Sequence, residues 1–204
     1  ITIVVLLAMV YPVFGTRARI HDRFDPAQGA GNNGMEYMDE AVYTDFNDRD
    51  GLGGEHSLKY ERDGINWLRE NVDGTPTTIE AQAPLYHYGS RIAIYTGLPT
   101  VLGWDWHQSQ QRPRFASGVQ QRRADVNAFY ATESVADARL LIEKYDVEWV
   151  IVGSVERNYY PVEGIAKFDS GLDGALELAY SNPGMQIWHV IPQDELAPAQ
   201  VASE

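Results

Sequence analysis

The residues best suited to chemistry lie between Glu80 and Arg112, in the order Glu80, Tyr86, Tyr88, Arg91, Trp104, Trp106, His107, Gln110 and Arg112. The tryptophans and tyrosines offer flat apolar faces that can stack on sugar rings. Glu80, His107 and Gln110 can hydrogen-bond hydroxyls, and the forked guanidiniums of Arg91 and Arg112 can pair with phosphate or carboxylate. Residues 81–132 hold five bases and two acids in a chain whose net charge is −13. A small basic zone in an acidic protein suits an anionic ligand such as a sugar phosphate. The competing reading is structural: a satisfied polar network under an aromatic cluster, with Arg112, Arg114, Arg122 and Arg123 as solvated helix and loop charges.

Other chemistries find little support. There is no cysteine, so disulfides, thiolate catalysis and cysteine–zinc sites are excluded. Gly29 to Gly34 matches the dinucleotide pattern letter for letter, but Asp25-Pro26 precedes it where a strand is needed. Asp45 to Gly51 has the flavour of a calcium loop, yet Phe46 and Ser57 fall where ligands should be. Five scattered histidines form no metal set, and no G-x-S-x-G, H-E-x-x-H or P-loop occurs. The expectation is no cofactor and no metal. A pI near 4.7 argues against nucleic acid as a partner.

The elements that position these residues follow from periodicity. Asp63 reads as the N-cap of a helix whose Ile65, Leu68 and Val72 share a face, ended by Asp73-Gly74. Thr77–Ala81 and Thr100–Trp104 read as buried strands, placing Glu80 and Trp104 at carboxyl ends, where open α/β sheets bind ligands. Ser134 and Asp137 resemble a capping box for a helix to about Tyr145. Glu148–Gly153 is the clearest strand, apolar and β-branched enough to be central. Leu176–Tyr180 and Gln186–Ile191 flank Asn182-Pro183-Gly184 as a closing hairpin. The predicted fold is α/β, three-layer, with a mostly parallel sheet and a C-terminal β-hairpin.

Ile1–Gly15 is almost wholly apolar. As a helix it reaches about 22 Å, short of the roughly 30 Å hydrocarbon core. It lacks the basic start and small-residue cleavage site of a signal peptide. It is therefore read as the end of a transmembrane helix, with Tyr11 and Pro12 near the interface; a buried strand or core helix is the alternative. Arg17 and Arg19 weigh toward a cytoplasmic flank. The organisation expected is thus 1–15 membrane helix end, 16–62 loop-rich lead-in, 63–191 soluble α/β domain and 192–204 flexible tail.

Ile79 to Arg112, with GSRIAIYTGLPTVLGW followed by WHQSQQR, resembles the Chlor_Arch_YYY membrane proteins of archaea and Chloroflexi. Asp63–Asn71, Arg123-Ala-Asp125-Val, Tyr145–Gly153, Glu156-Arg157 and Tyr159-Tyr160 extend the likeness over residues 10–190. Some members carry Glu-x-Gln-Trp after the histidine, where this chain has Gln108-Ser-Gln110-Gln111, which cannot serve as acid or base. The resemblance implies the C-terminal soluble domain of a polytopic protein, on the extracytoplasmic side. Its layout is similar to that of membrane glycosyltransferases using lipid-linked sugar donors, whose catalytic carboxylates lie between transmembrane helices. The implied partners are the protein's own transmembrane region and a lipid-linked sugar or glycan acceptor. A non-catalytic binding or assembly module is the alternative.

Overall fold

The computed structural model describes residues 2–23, 34–44 and 55–192. Of the Gly29–Gly34 match only Gly34 lies within them; the Asp45–Gly51 stretch and the tail beyond Pro192 lie outside.

The organising element is strand β4, Val147–Gly153, buried from Val150 onward. Its neighbours are β3 (Thr77–Ile79) on one side and the hairpin β5–β6 (Leu176–Ser181, Met185–Val190) on the other, in the order β3-β4-β6-β5. β3 runs parallel to β4, with Ile79 opposite Val150. β6 runs antiparallel to β4, with Ile151 opposite Ile187, and β5 antiparallel to β6. The sheet is therefore mixed, not mostly parallel. A tight turn forces its two strands antiparallel, and here the hairpin's second strand, not a crossover strand, docks on β4. The turn is held by Asn182, whose Oδ1 accepts from the backbone N–H of Gly184 (2.9 Å) and of Met185 (2.7 Å).

Alternate residues of β4 feed two cores. Val150 and Val152 pack with Val126, Phe129 and Tyr130 of α6 (Ala116–Ala131) and Ala138 and Ile142 of α7 (Val135–Tyr145). Ile151, with Trp149 at its margin, joins Ile65 and Leu68 of α3 (Leu58–Asn71) and Ile92 of α4 (Arg91–Thr96). Each fully buried aliphatic or aromatic side chain contributes about 1.5–3 kcal/mol of transfer free energy.

Two expected boundaries move. Helix α3 starts at Leu58 with Ser57 at its N-cap, because Leu58 and Glu61 extend the buried stripe of Ile65 and Leu68; Asp63 lies inside the helix. The expected strand Thr100–Trp104 reduces to a single bridge from Thr100 to Thr78. Pro99 has no N–H to extend the ladder backward, and the chain turns into α5 (Asp105–Gln111). The cap on α7 is as expected, with Ser134 Oγ accepting from the Asp137 N–H at 3.2 Å.

The described residues ahead of α3 hold regular elements as well. Helices α1 (Thr2–Val10) and α2 (Thr16–Arg23) are joined through a π turn at Tyr11–Gly15, and a short ladder pairs β1 (Val42–Thr44) with β2 (Glu55–Ser57). Pro12 sits in the π turn, where widening accommodates its missing N–H and its ring. Thr2–Asp22 is 21 residues long with a mean hydropathy of 1.6 and nothing buried, long and apolar enough to cross a membrane. At 1.5 Å per residue it reaches roughly 30 Å.

Candidate functional site

The crevice beyond the carboxyl ends of β3 and β4 is filled by an ion cluster. Arg91, at the start of α4, is fully buried and offers each of its nitrogens to a different carboxylate. Nε donates to Glu61 of α3 at 2.6 Å, Nη1 to Glu80 at 3.3 Å, and Nη2 to Glu156 at 2.7 Å. Glu156 lies on α8 (Ser154–Tyr159), directly after β4. All three carboxylates are as buried as the guanidinium.

Each acid also holds backbone or hydroxyl donors. Glu80 Oε2 accepts from the Ile92 N–H (3.1 Å) and Oε1 from the Ala93 N–H (3.3 Å), so it caps α4 from a distance. That role is open because Ser90, at the N-cap position, is left-handed at φ 57 and makes no cap. Glu156 accepts from the N–H of Ala81 and of Gly153, both at 2.7 Å, tying β3 to β4. Ser154 Oγ donates to Glu61 at 3.3 Å. Gly153 is required here, since a Cβ would stand 2.8 Å from Glu61 Oε1.

Burial pushes the Glu80 carboxyl up to about 7, against the pull of Arg91. Burial also pushes Glu156 upward, but Arg91 and the two N–H donors outweigh it and hold its pKa below the ordinary value. Desolvation works against the Arg91 charge, and the three carboxylates more than compensate, raising its pKa. Two expected ligand residues, Glu80 and Arg91, are thus each other's partners and face no solvent.

The aromatic residues do converge. Pro84–His87 forms a turn closed by the His87 N–H on Pro84 O at 3.2 Å, with Tyr86 at φ 65 and 99% exposed. A left-handed tyrosine is uncommon and costs on the order of 1 kcal/mol. The turn faces the N-terminal end of α5 across a cleft of about 270 Å³. Leu85, Tyr86, His87, Trp104, Trp106 and His107 line it, with Trp104 46% and Trp106 52% exposed. The His107 ring tilts against Trp104 at 5.5 Å between centroids.

Asp105 also lines the cleft. It is buried between the two tryptophans in sequence and accepts from Gln82 Nε2 (3.3 Å) and Arg123 Nη1 (3.1 Å). Next to the cleft, across Ala83 and Pro84, lies a polar depression of about 350 Å³ lined by Gln82, Arg123, Asn127, Tyr159 and Tyr160. Tyr160 there accepts from the Gln82 N–H (3.1 Å) and donates to Asn127 Oδ1 (2.9 Å).

The remaining expected residues lie elsewhere. Arg112 lines a separate depression of about 590 Å³ at the C-terminal end of α5, with Gln108, Phe115 and Arg122. Arg122 is held by Val101 O at 2.8 Å and lies over the Tyr145 ring at 5.2 Å. Gln110 is exposed. Tyr88 turns inward against Tyr43, whose hydroxyl accepts from the Tyr88 N–H at 3.1 Å, and burial pushes its own hydroxyl upward.

Glu61, Glu156, Asp105 and Gln82 were missed by sequence reasoning. Glu61 had a signal: it lies four residues before Ile65, on the apolar stripe of α3. Among the described residues no group of three or more His, Asp or Glu is arranged to hold a metal ion.

No protein-family model matches the chain, and no curated protein matches it. Among solved structures, it is similar to the C-terminal globular domain of the oligosaccharyltransferase from Archaeoglobus fulgidus. The TM-score is 0.42 at 14% identity, covering 64% of this chain and 96% of that one.

Proposed function

We propose that this chain is the soluble, extracytoplasmic domain of a larger polytopic membrane protein of the Chlor_Arch_YYY type, anchored through Thr2–Asp22. On this reading it is a non-catalytic domain that binds the sugar of a glycan acceptor or a lipid-linked donor, with any reaction carried elsewhere in the protein. The three-layer description of the fold belongs to the same reading and rests on the two cores flanking β4.

The observation that carries the reading is the aromatic cleft. Two half-exposed tryptophans and a fully exposed tyrosine line a groove with two imidazoles and the Asp105 carboxylate. Flat apolar faces with a few polar groups at the rim suit a pyranose ring, whose two faces are apolar and whose edge is all hydroxyl. The strongest acid–base candidate, Glu80, is sealed inside the ion cluster and has no path to a substrate. That favours binding over catalysis.

The test is an NMR titration of the full chain in nanodiscs with oligosaccharides and with polyprenyl-phosphate sugar analogues, following the indole N–H signals. Saturable shifts of Trp104 and Trp106, absent from Trp67 and Trp188, support the reading. Unmoved indoles across both ligand classes leave the alternative of an assembly module for the membrane protein's other parts.

A further inference from the structure

The aromatic cleft and the free arginines sit at the two ends of one short helix. Trp104 and Trp106 are at the N-terminal end of α5; Arg112, Arg114 and Phe115 follow its C-terminal end. Seven residues of helix separate them by about 10 Å. Phe115 is 69% exposed, and Leu85 and Tyr86 project from the turn on the cleft's far wall. Neither the Arg112 nor the Arg114 guanidinium has an ion-pair or hydrogen-bond partner among the described residues, whereas that of the neighbouring Arg123 is paired with Asp105. A small ligand in the cleft leaves these guanidiniums unused. An extended anionic partner can reach both ends of a helix about 10 Å long.

We propose that this surface docks on the bilayer, with the aromatic side chains at the headgroup level and Arg112 and Arg114 on anionic headgroups. The proposal rests on the membrane-anchored reading above and deepens it: a docked cleft is presented to lipid-borne sugar and not to soluble sugar. Three observations converge on it. Tryptophan and tyrosine with an apolar body and a polar tip are the side chains that prefer the membrane interface. Arg112 and Arg114 give the patch positive charge in a chain of net charge −13, so it offers an anionic surface an attraction that the chain as a whole does not. The tether is short. Twelve residues separate Asp22, at the end of the apolar helix, from Met35, where the body begins. Fully extended they reach roughly 40 Å, about the diameter of a body this size. The body is therefore held at high effective concentration over the bilayer, where even a weak patch engages.

The left-handed backbone of Tyr86 fits the same picture, because the turn displays that ring to the outside at a conformational cost, with the ring 99% exposed among the described residues.

The experiment uses the full chain reconstituted in phosphatidylcholine vesicles, with and without phosphatidylglycerol, whose acyl chains are brominated near the headgroup. Thr2–Arg23 contains no tryptophan, so bromine quenching of tryptophan emission reports the body alone. Quenching should be strong with phosphatidylglycerol, weaken at high salt, and be largely lost in W104F/W106F. The variant R112E/R114E should reduce docking on the order of tenfold or more, since each basic residue near an anionic surface contributes about fivefold. Absent quenching, or quenching unchanged in W104F/W106F, overturns the proposal. Equal quenching without phosphatidylglycerol overturns the role given to the arginines. Alkaline carbonate extraction reads the anchor separately: a chain released by carbonate fails as a membrane-spanning protein, while its quenching on added vesicles still decides the docking.

Discussion

Arg91 Nη2 donates to Glu156 Oε2 at 2.7 Å with neither side chain exposed, and this pair locks the start of α4 to the junction of β4 and α8. Glu61 and Glu80 complete the shell, so one guanidinium joins α3, the residue after β3, α4 and α8. A buried charge of this kind holds its neighbours in register because removing one partner strands the others.

Arg91→Met is therefore expected to destabilise the protein by about 3–5 kcal/mol, since three buried carboxylates lose their counter-charge. Chemical denaturation of wild type and variant measures it. A loss under about 1 kcal/mol would mean that water or rearranged donors replace the guanidinium. Gly153→Ala should also be costly, because its methyl group meets Glu61 and Arg91.

The cluster also predicts a pH dependence with a definite sign. Glu80 is raised in the folded state to about 7 from 4.5, so between those values the folded protein keeps a proton that the unfolded chain has released. Stability must fall as pH rises through that window, by on the order of 3 kcal/mol, and level off above it. Glu156 acts oppositely: its lowered pKa gives stability that is present above the unfolded value and lost as pH falls below about 4.5. The groups facing Glu80 are Arg91 from α4, Glu156 from α8 and the Tyr130 hydroxyl region from α6. The melting temperature should peak on the acid side, near pH 5. Glu80→Gln should flatten the slope between pH 5 and 7, and an unchanged slope in that variant assigns the proton elsewhere.

How far the sequence speaks differs by element. Glu148–Gly153 was legible because a continuous β-branched run fits only a strand covered on both faces, and Val150 and Ile151 do face different cores. Ser134 and Asn182-Pro183-Gly184 were legible because capping and turning depend on local chemistry. Strand direction was not, since composition is the same for β6 whether it runs with or against β4. The site was half legible for a similar reason. Aromatic side chains near Trp104 are too large and too numerous to be all buried, so a surface cluster could be read. The fate of Glu80 and Arg91 depended on Glu61 and Glu156, distant in sequence, closing around them.

Tyr130→Phe is expected to cost about 1–3 kcal/mol despite removing a single oxygen. The Tyr130 hydroxyl lies 3.0 Å from Ile79 O and 2.8 Å from Ile151 O, bridging the parallel pair β3 and β4 from α6. The one hydroxyl proton serves one of these carbonyls at a time, and the buried carbonyl left without it carries the penalty. Thermal unfolding reads the loss, and a neutral result would show that the ladder does not depend on the bridge.

The cleft and the cluster should separate cleanly when tested together. Trp106 is half exposed and Tyr86 almost wholly so, which means that neither holds the core together. Trp106→Ala and Tyr86→Ala should leave the unfolding free energy within about 1 kcal/mol of wild type, as for exposed positions generally. Tyr86→Gly should raise stability by a few tenths of a kcal/mol or more, because φ 65 favours glycine and the ring is 99% exposed among the described residues. If the cleft binds a sugar ring, Trp106→Ala should weaken that binding about tenfold, the loss of one stacking face, while Arg91→Met abolishes binding only to the extent that it unfolds the protein. Isothermal titration with the best saccharide from the nanodisc screen, run beside denaturation of each variant, makes the comparison. A Trp106→Ala protein that unfolds easily would place the indole in the core after all, and one that binds sugar as well as wild type would remove the stacking role assigned to it.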